Sequence, residues 1–418
     1  MIGVIADDAT GATDVAAALS RAGLRTALAL TTDLDRWRGD ADALVLGLKT
    51  RSVPAADAVR QSLEAWEALA AQGAERVFLK YCSTFDSTPD GNIGPVTEAL
   101  AGRLDTRTVV TTPSAPLHGR TVYQGHLFVG DRLLHETHMA DHPRTPMRDS
   151  SVPRLLRAQA RWPVELLPLA VVHSGTGAVR DHLEALGANG AVHVVADALD
   201  EADLDVLASA VRTAPVVAGS AGLVGAIGRA SSAGSHVPSR PPAGRTAILA
   251  GSCSHRTLEQ IAVFRDLGRP LYQLTGGPGQ SANGLADAAL RWWDRLADDA
   301  PALIASSQPP EQRASAPEGT ADLYEEATGL IAAGLAERRL RRLVIAGGET
   351  SGAVVSALRT RVAEIGEEAA PGVPWIHDRE HELHLLLKSG NFGGPTLFAD
   401  VTGDVPGDGT GAGTGAAT

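Results

Sequence analysis

The chain has 418 residues with a formal net charge of −12, 44% apolar and 21% charged. That length suits two globular domains, and the acidic balance argues against a basic face for non-specific nucleic-acid binding. No apolar run approaches a membrane span, and two distant cysteines, Cys82 and Cys253, give no disulfide framework and point to a reducing cytoplasm.

The first element is the strand Ile2–Ala6, followed directly by DDATGATD and an Ala-rich helix. A strand–turn–helix of this kind aims backbone N–H groups and the positive end of a helix dipole at an anion. Asp7, Asp8, Thr10, Gly11 and Asp14 crowd that turn. Helix capping explains one acid but not the cluster. Adjacent carboxylates at a strand end can bind hydroxyls, hold a hydrated cation or accept a proton. Further strands are expected at Thr26–Thr31, Ala43–Leu48, Val77–Tyr81, Thr108–Thr111, Leu169–His173, Val192–Val195 and Pro215–Ala218. Helical patterns such as Ala55–Gln72 and Val179–Leu186 lie between them. That alternation implies βαβ units and a mostly parallel sheet.

Lys49 and Arg51 follow the third strand and can pair with a carboxylate, Arg51 in bidentate fashion. After Val77–Tyr81 comes KYCSTFDSTPDGNIG, with Lys80, the hydroxyls of Ser83, Thr84, Ser87 and Thr88, and Asp86. Cation, hydroxyls and carboxylate together suit a polyhydroxy acid; the bland alternative is a polar loop held by its own side chains. Cys82, with no histidine at a diagnostic spacing, reads as a small buried hydrophobe. Residues 118–153 break the rhythm and are rich in histidine: His118, His126, His135, His138 and His142 match no common zinc spacing. A catalytic or scaffold role for one or two of them suits the pattern better.

Residues 231–244 (SSAGSHVPSRPPAG) read as a linker. A second αβ series follows: strands Thr246–Ala250, Pro270–Leu274, Ala302–Ser306 and Leu343–Ala346, with helices His255–Leu267, Leu285–Ala297 and Ala321–Glu337. Small-residue turns recur at strand ends: GSAG at 219–222, GSCS at 251–254, GGET at 347–350 and GNFGG at 390–394. Each alone is a weak signal; three of them after the linker favour a phosphate-binding lobe, although none matches the P-loop or the dinucleotide fingerprint. From Thr402 the chain is low-complexity Gly, Thr and Ala and reads as disordered.

These motifs resemble the four-carbon acid sugar kinases, most closely the branch acting on 3-oxo-tetronates. The matching segments are ADDATGATD, KTRS, KYCSTFDSTPDGNIGPVTEAL, GRTVYQGHLFVGD, HPRTPMRDS, GSCSHRTLEQI, AGGETSGAVVSAL and LKSGNFGG, spread over residues 1–400. One departure is Ala9, where the family usually has Phe; it leaves the acids in place. The resemblance implies an α/β fold of two α/β/α domains with mostly parallel sheets and an active site in the inter-domain cleft. The implied layout is a sugar-acid-binding domain over 1–235, a linker over 236–244, a nucleotide-binding domain over 245–401 and a tail over 402–418.

It also implies ATP and Mg²⁺ as cofactors and phosphorylation of the terminal (4-) hydroxyl of a 3-oxo-tetronate of 3-dehydro-erythronate type. On this reading Asp8 or Asp86 is the base, and Asp7, Thr10, Arg51, Lys80, Ser83 and Ser87 bind the sugar acid. Ser252, Ser254, Gly347, Gly348, Glu349, Thr350, Gly390 and Gly393 hold the nucleotide. With no lysine inside the glycine turns, Mg²⁺ and domain closure gain weight. The alternatives are a threonate or erythronate kinase and a non-catalytic sugar-acid-binding protein; a nicotinamide-dependent dehydrogenase would need a full GxGxxG. Small-molecule partners are expected, with no nucleic acid, no membrane, and a homodimer as an open option.

Overall fold

A computed structural model describes residues 1–403 except 35, 36, 38, 142–144, 232–235, 277, 278, 298, 299, 310–316 and 318, and leaves the side chain of His138 undescribed. The chain forms two compact units, residues 1–241 with 360–368 and 374–380, and residues 242–359 with 369–373 and 381–418. Of the tail, the residues from 404 on lie outside the described ones.

The first unit opens with β1 (Ile2–Ala6), α1 (Ala9–Arg21), β2 (Thr26–Ala29), β3 (Ala43–Gly47), α2 (Ala55–Ala71), β4 (Arg76–Lys80), α3 (Ile93–Arg103) and β5 (Thr108–Thr112). A small antiparallel sheet follows, β6 (Arg120–Tyr123), β7 (His126–Val129) and β8 (Arg132–Leu133). Next come α4 (Val152–Arg157), β9 (Val164–Leu167), α5 (Leu169–His173), α6 (Thr176–Gly187), β10 (Val192–Ala196), α7 (Glu201–Ala210), β11 (Val216–Gly219) and α8 (Ala221–Ser231). The main sheet runs β2-β3-β1-β4-β11-β5-β10-β9, parallel throughout. Its strands are almost wholly buried aliphatic runs, as expected for a parallel sheet covered on both faces. A later strand, β16 (Val362–Ala370), pairs antiparallel with β2 through Val362, Ala363 and Glu364.

The segment expected as a strand at Leu169–His173 is instead α5. The strand lies just before it, at Val164–Leu167, and Pro168 caps the helix that follows. Leu169 and Val172 turn to the core at helical spacing, and a short apolar run bounded by proline fits either period. The histidine-rich stretch is the small sheet. Its β6–β7 turn has positive φ at Gln124 (49°) and Gly125 (73°), and both N–H groups donate to the fully buried Asp197, at 2.9 and 2.8 Å.

The second unit contains β12 (Thr246–Ala250), α9 (His255–Asp266), β13 (Leu271–Gln273), α10 (Ala282–Trp293), β14 (Ala302–Ala305), α11 (Thr320–Ala336), β15 (Arg342–Ala346) and α12 (Gly348–Leu358). After β16 and β17 (Val373–Asp378), which lie largely in the first unit, come β18 (Leu383–Lys388) and α13 (Leu397–Asp400). The order β13-β14-β12-β15-β18 is parallel. Helices α10, α11 and α12 pack in succession, while α9 packs with α13. Among the described residues no helix is long and apolar enough to cross a membrane.

Candidate functional site

In parallel α/β sheets a crevice opens at the carboxyl ends of strands where successive connections leave in opposite directions. In the first unit that point lies between β1, whose helix leads to β2, and β4, whose helix leads to β5 on the other side. Ala6 is in register with Gly47 and Lys80, and Lys80 with Gly219, so the loops after four strands emerge together. Asp7, Asp8, Arg51, Ser83, Asp86 and Ser87 belong to these loops, while Lys80 ends β4 and Thr10 lies in the first turn of α1.

Asp7 and Asp8 differ in what they hold. Arg51 donates Nε and Nη2 to the two oxygens of Asp7, each at 2.8 Å. Its Nη2 also lies 2.9 Å from Asp8 Oδ1, which accepts Gly11 N at 2.6 Å and so caps α1. Both Asp7 oxygens are therefore engaged, and Asp7 is 8% exposed. Asp8 commits one oxygen, and its side chain is 31% exposed. Burial and the neighbouring Asp7 raise the Asp8 pKa against the pull of Arg51 and Lys80. Burial also works against charge on Arg51, but Asp7 and Asp8 overcome it and hold the guanidinium protonated. Most of the Arg51 fork is thus turned on Asp7.

Lys80 is buried at the end of β4, and its ammonium donates to Tyr81 O at 2.8 Å. Gly11 makes the close approach feasible: a Cβ there would come 2.4 Å from Asp8 Oδ1 and 2.9 Å from Lys80 Nζ. Asp14, one turn further along α1, lies 3.5 Å from His118 Nε2. Burial would raise its pKa, but the His118 contact and the charge of Lys80 outweigh that and hold it low. His126 goes elsewhere, with Nδ1 2.9 Å from Ser150 Oγ; His142 and Arg144 lie outside the described residues.

In the loop after β4, Thr84 donates to Asp86 Oδ1 at 2.5 Å and meets Cys82 Sγ at 3.0 Å. Burial, with Asp86 nearby, pushes the Cys82 thiol up, which disfavours a nucleophilic thiolate. Ser83 is half-buried in the same loop, as is Thr10 in the first turn of α1. Ser87 is occupied by scaffold: Gln159 Nε2 donates to its Oγ at 3.0 Å, and a Cβ at Gly91 would fall 2.0 Å from that oxygen. Asn92 pins the Arg51 loop by donating to Thr50 O at 2.7 Å and Val53 O at 3.1 Å. Lys49 is exposed.

The second unit has the equivalent crevice between β12, whose helix leads towards β13, and β15, whose chain returns to β18 by way of α12, β16 and β17. Ala305, Ala250, Ala346 and Lys388 are in register, so three of the small-residue turns lie side by side. Ser254 caps α9, accepting Thr257 N at 3.2 Å and donating to Gly390 O at 2.7 Å. Ser252 Oγ accepts Ser254 N at 3.2 Å. Gly347 precedes α12 with φ 131°, and a Cβ there would meet Thr350 Oγ1 at 3.0 Å and Ser252 N at 3.1 Å. A Cβ at Gly390 would strike Ser252 Oγ at 2.4 Å. Gly348 and Glu349 are exposed on the first turn of α12. Gly393 has φ 79° in a loop held by Gln260, which donates to Phe392 O and Gly394 O.

Lys388, Thr257 and Gln260 were not singled out from the sequence. The signal for Lys388 was present: VFLK and LLLK are both apolar runs that end on lysine before a loop.

Residues 2–227 match the model of a sugar-binding N-terminal domain, and residues 247–398 that of a nucleotide-binding C-terminal domain. The chain is 42% identical over 414 residues to a 3-oxo-tetronate kinase of Cupriavidus necator, covering 95% of each. It is 40% identical over 417 residues to one from Salmonella typhimurium, covering 95% of this chain and 97% of the relative. A Salmonella typhimurium LT2 crystal structure, provisionally described as a tRNA synthase, superposes with TM-score 0.89 at 39% identity over 96% of this chain and 98% of that one. A Haemophilus influenzae protein gives TM-score 0.82 at 36% identity, over 95% and 98%. The chain belongs to the four-carbon acid sugar kinase family, whose members use ATP. Several of its curated relatives carry one more specific name, 3-oxo-tetronate kinase.

Proposed function

We propose that this protein transfers the γ-phosphoryl group of ATP to the terminal (4-) hydroxyl of a 3-oxo-tetronate, giving the 4-phosphate ester, ADP and a proton. The observation that carries this reading is identity of 40–42% to 3-oxo-tetronate kinases over 95% of the chain. Both crevices fit it: the first unit offers carboxylates and cations for a hydroxy acid, the second converging glycine turns for phosphates. A tRNA-directed reading gains nothing from a chain of net charge −12.

The geometry supports the following roles. Asp8, part-exposed with one oxygen uncommitted and a raised pKa, is the better proton acceptor from the attacking hydroxyl. Asp7 is spent on holding Arg51, and Asp86, tied to Thr84, is the competing base. Lys80 and the Nη1 of Arg51 supply positive charge for the substrate carboxylate and oxo group, while Thr10 and Ser83 offer hydroxyls. Ser87 acts through Gln159 and the 87–91 turn rather than on the substrate. In the second unit, backbone N–H groups at 251–254, 347–350 and 390–393 cradle the phosphates. The hard oxygens of Ser252, Glu349 and Thr350 fit Mg²⁺, which when bound would neutralise phosphate charge.

The test is coupled ADP release with a panel of four-carbon acids, with and without Mg²⁺. A 3-oxo-tetronate should give the highest kcat/KM, and turnover should vanish without the metal. Preference for threonate or erythronate would move the protein to another branch of the family. Sugar-acid binding without ADP release would make it a binding protein.

A further inference from the structure

Lys388 ends β18 with 1% of its surface exposed. Its ammonium donates to Thr257 Oγ1 and to Gly390 O, both at 3.0 Å. The same carbonyl accepts Ser254 Oγ at 2.7 Å and Thr257 Oγ1 at 3.0 Å. One buried cation and two hydroxyls of α9 thus anchor the loop after β18, and Gly390 can sit this close only because it lacks a Cβ.

The charges around this ammonium do not balance it. Among the described residues no carboxylate pairs with it, and the charged neighbour acting on it is Arg256, of the same sign. From α9, Glu259 is turned on Arg256 at 2.9 Å, and His255 faces Glu259 at 3.5 Å. From α13, Asp400 accepts Thr396 Oγ1 at 2.9 Å, and the Phe398 ring lies 5.8 Å from Nζ. Glu349, on α12, is exposed. Burial, then Arg256, lowers the Lys388 pKa to about 8. A buried cation without an anion is unfavourable by itself. It makes sense where a ligand brings the negative charge, and the three glycine turns around it suit an oligophosphate.

We propose that Lys388 is a positioning residue of the nucleotide site: it holds Gly390 against Ser254 and Thr257, and its charge is balanced by the phosphates of the bound nucleotide. The inference rests on reading the second unit as nucleotide-binding. It changes what the sequence implied, because a lysine does serve the glycine turns, from beneath the loop rather than within it. Near pH 8 the ligand-free ammonium is only partly protonated, and phosphates arriving beside it favour the charged form. Nucleotide binding then takes up a proton.

The test uses the full chain and ADP, by calorimetry at pH 8 in buffers of different ionisation enthalpy. Wild type should take up as much as about half a proton per ADP. Lys388→Met, which removes charge and donors, and Lys388→Gln, which keeps a donor, should take up none and bind ADP roughly tenfold or more weakly. The KM for the sugar acid should stay within about twofold. Affinity fully restored by Lys388→Gln, or equal proton uptake in wild type and Lys388→Gln, would overturn the proposal. If neither variant folds, the wild type decides: no measurable uptake at pH 8 overturns it. Failure of wild type to bind ADP at all would instead refute the nucleotide-site reading itself.

Discussion

Each unit ends a parallel strand on a buried lysine, Lys80 at 3% and Lys388 at 1% exposure, and each ammonium donates to a carbonyl just downstream. Their surroundings differ in sign. Lys80 acts on the carboxylates of Asp8 and Asp14, whereas Lys388 meets the Thr257 hydroxyl of α9 and the charge of the Arg256 guanidinium. The first unit completes the charge of its lysine internally, which suits the proposed role of a carboxylate there as a base. On the proposed nucleotide reading the second admits several negative charges at once, and a carboxylate beside Lys388 would repel them. On the proposed reading the same local device serves opposite ends of one reaction, and the neighbouring residues decide which.

The largest expected effect is at Lys80. Lys80→Met leaves Asp8 and Asp14 without their shared cation and should lower kcat/KM for the sugar acid by about 10³-fold, with ADP affinity within about twofold of wild type. Lost ADP binding, measured by calorimetry, would break the comparison by showing that the lysine is merely structural. Asp8→Asn keeps the shape and the Gly11 cap but cannot accept a proton. It should cut kcat about 10²-fold with little change in sugar-acid KM. Wild-type kcat in Asp8→Asn beside a dead Asp86→Asn would assign the base to Asp86.

Gly347→Val puts a branched side chain at φ 131° against Ser252 and Thr350. The KM for ATP should rise about tenfold while the sugar-acid KM holds; parallel rises in both would mean that the turn only packs. The smallest effect is thermal. The folded Lys388 pKa is about 8 against an ordinary lysine value of 10.5, so its charge is a full penalty below pH 8, relieved as pH rises towards 10.5. Without nucleotide, the apparent Tm of Lys388→Met relative to wild type should therefore be higher at pH 7 than at pH 10, by a few degrees. A difference independent of pH would remove the distinction between the two lysines.

Much of this was legible in the sequence where chemistry is local. The strand-to-helix turns at Asp7–Asp14 and Gly347–Thr350 announce themselves, since apolar strand, small-residue turn and Ala-rich helix follow without interruption. Thr246–Ala250 and Ile2–Ala6 emerge as strands at the same bounds. What local pattern cannot give is pairing. Asp7 and Arg51 are 44 positions apart, and nothing in either motif says that the arginine spends its fork on a neighbouring acid. Lys388 and Thr257 are further apart still, and only sheet register joins them. The short run at Leu169–His173 differs for another reason: four apolar residues and a histidine satisfy both periods, and Pro168 decides for a helix start.

The first unit is not finished where its contiguous stretch of chain stops. The outer side of β2, the buried run TALA, is paired by Val362–Glu364, which follow more than a hundred residues of the other unit. During synthesis this strand waits for its neighbour on the order of tens of seconds at ordinary elongation rates. Over that interval a nascent chain displays an apolar sheet edge, the feature that invites pairing with a second chain. Ribosome-bound intermediates of this enzyme are thus candidates for chaperone engagement at β2, and expression yield should depend on elongation rate through residues 242–359.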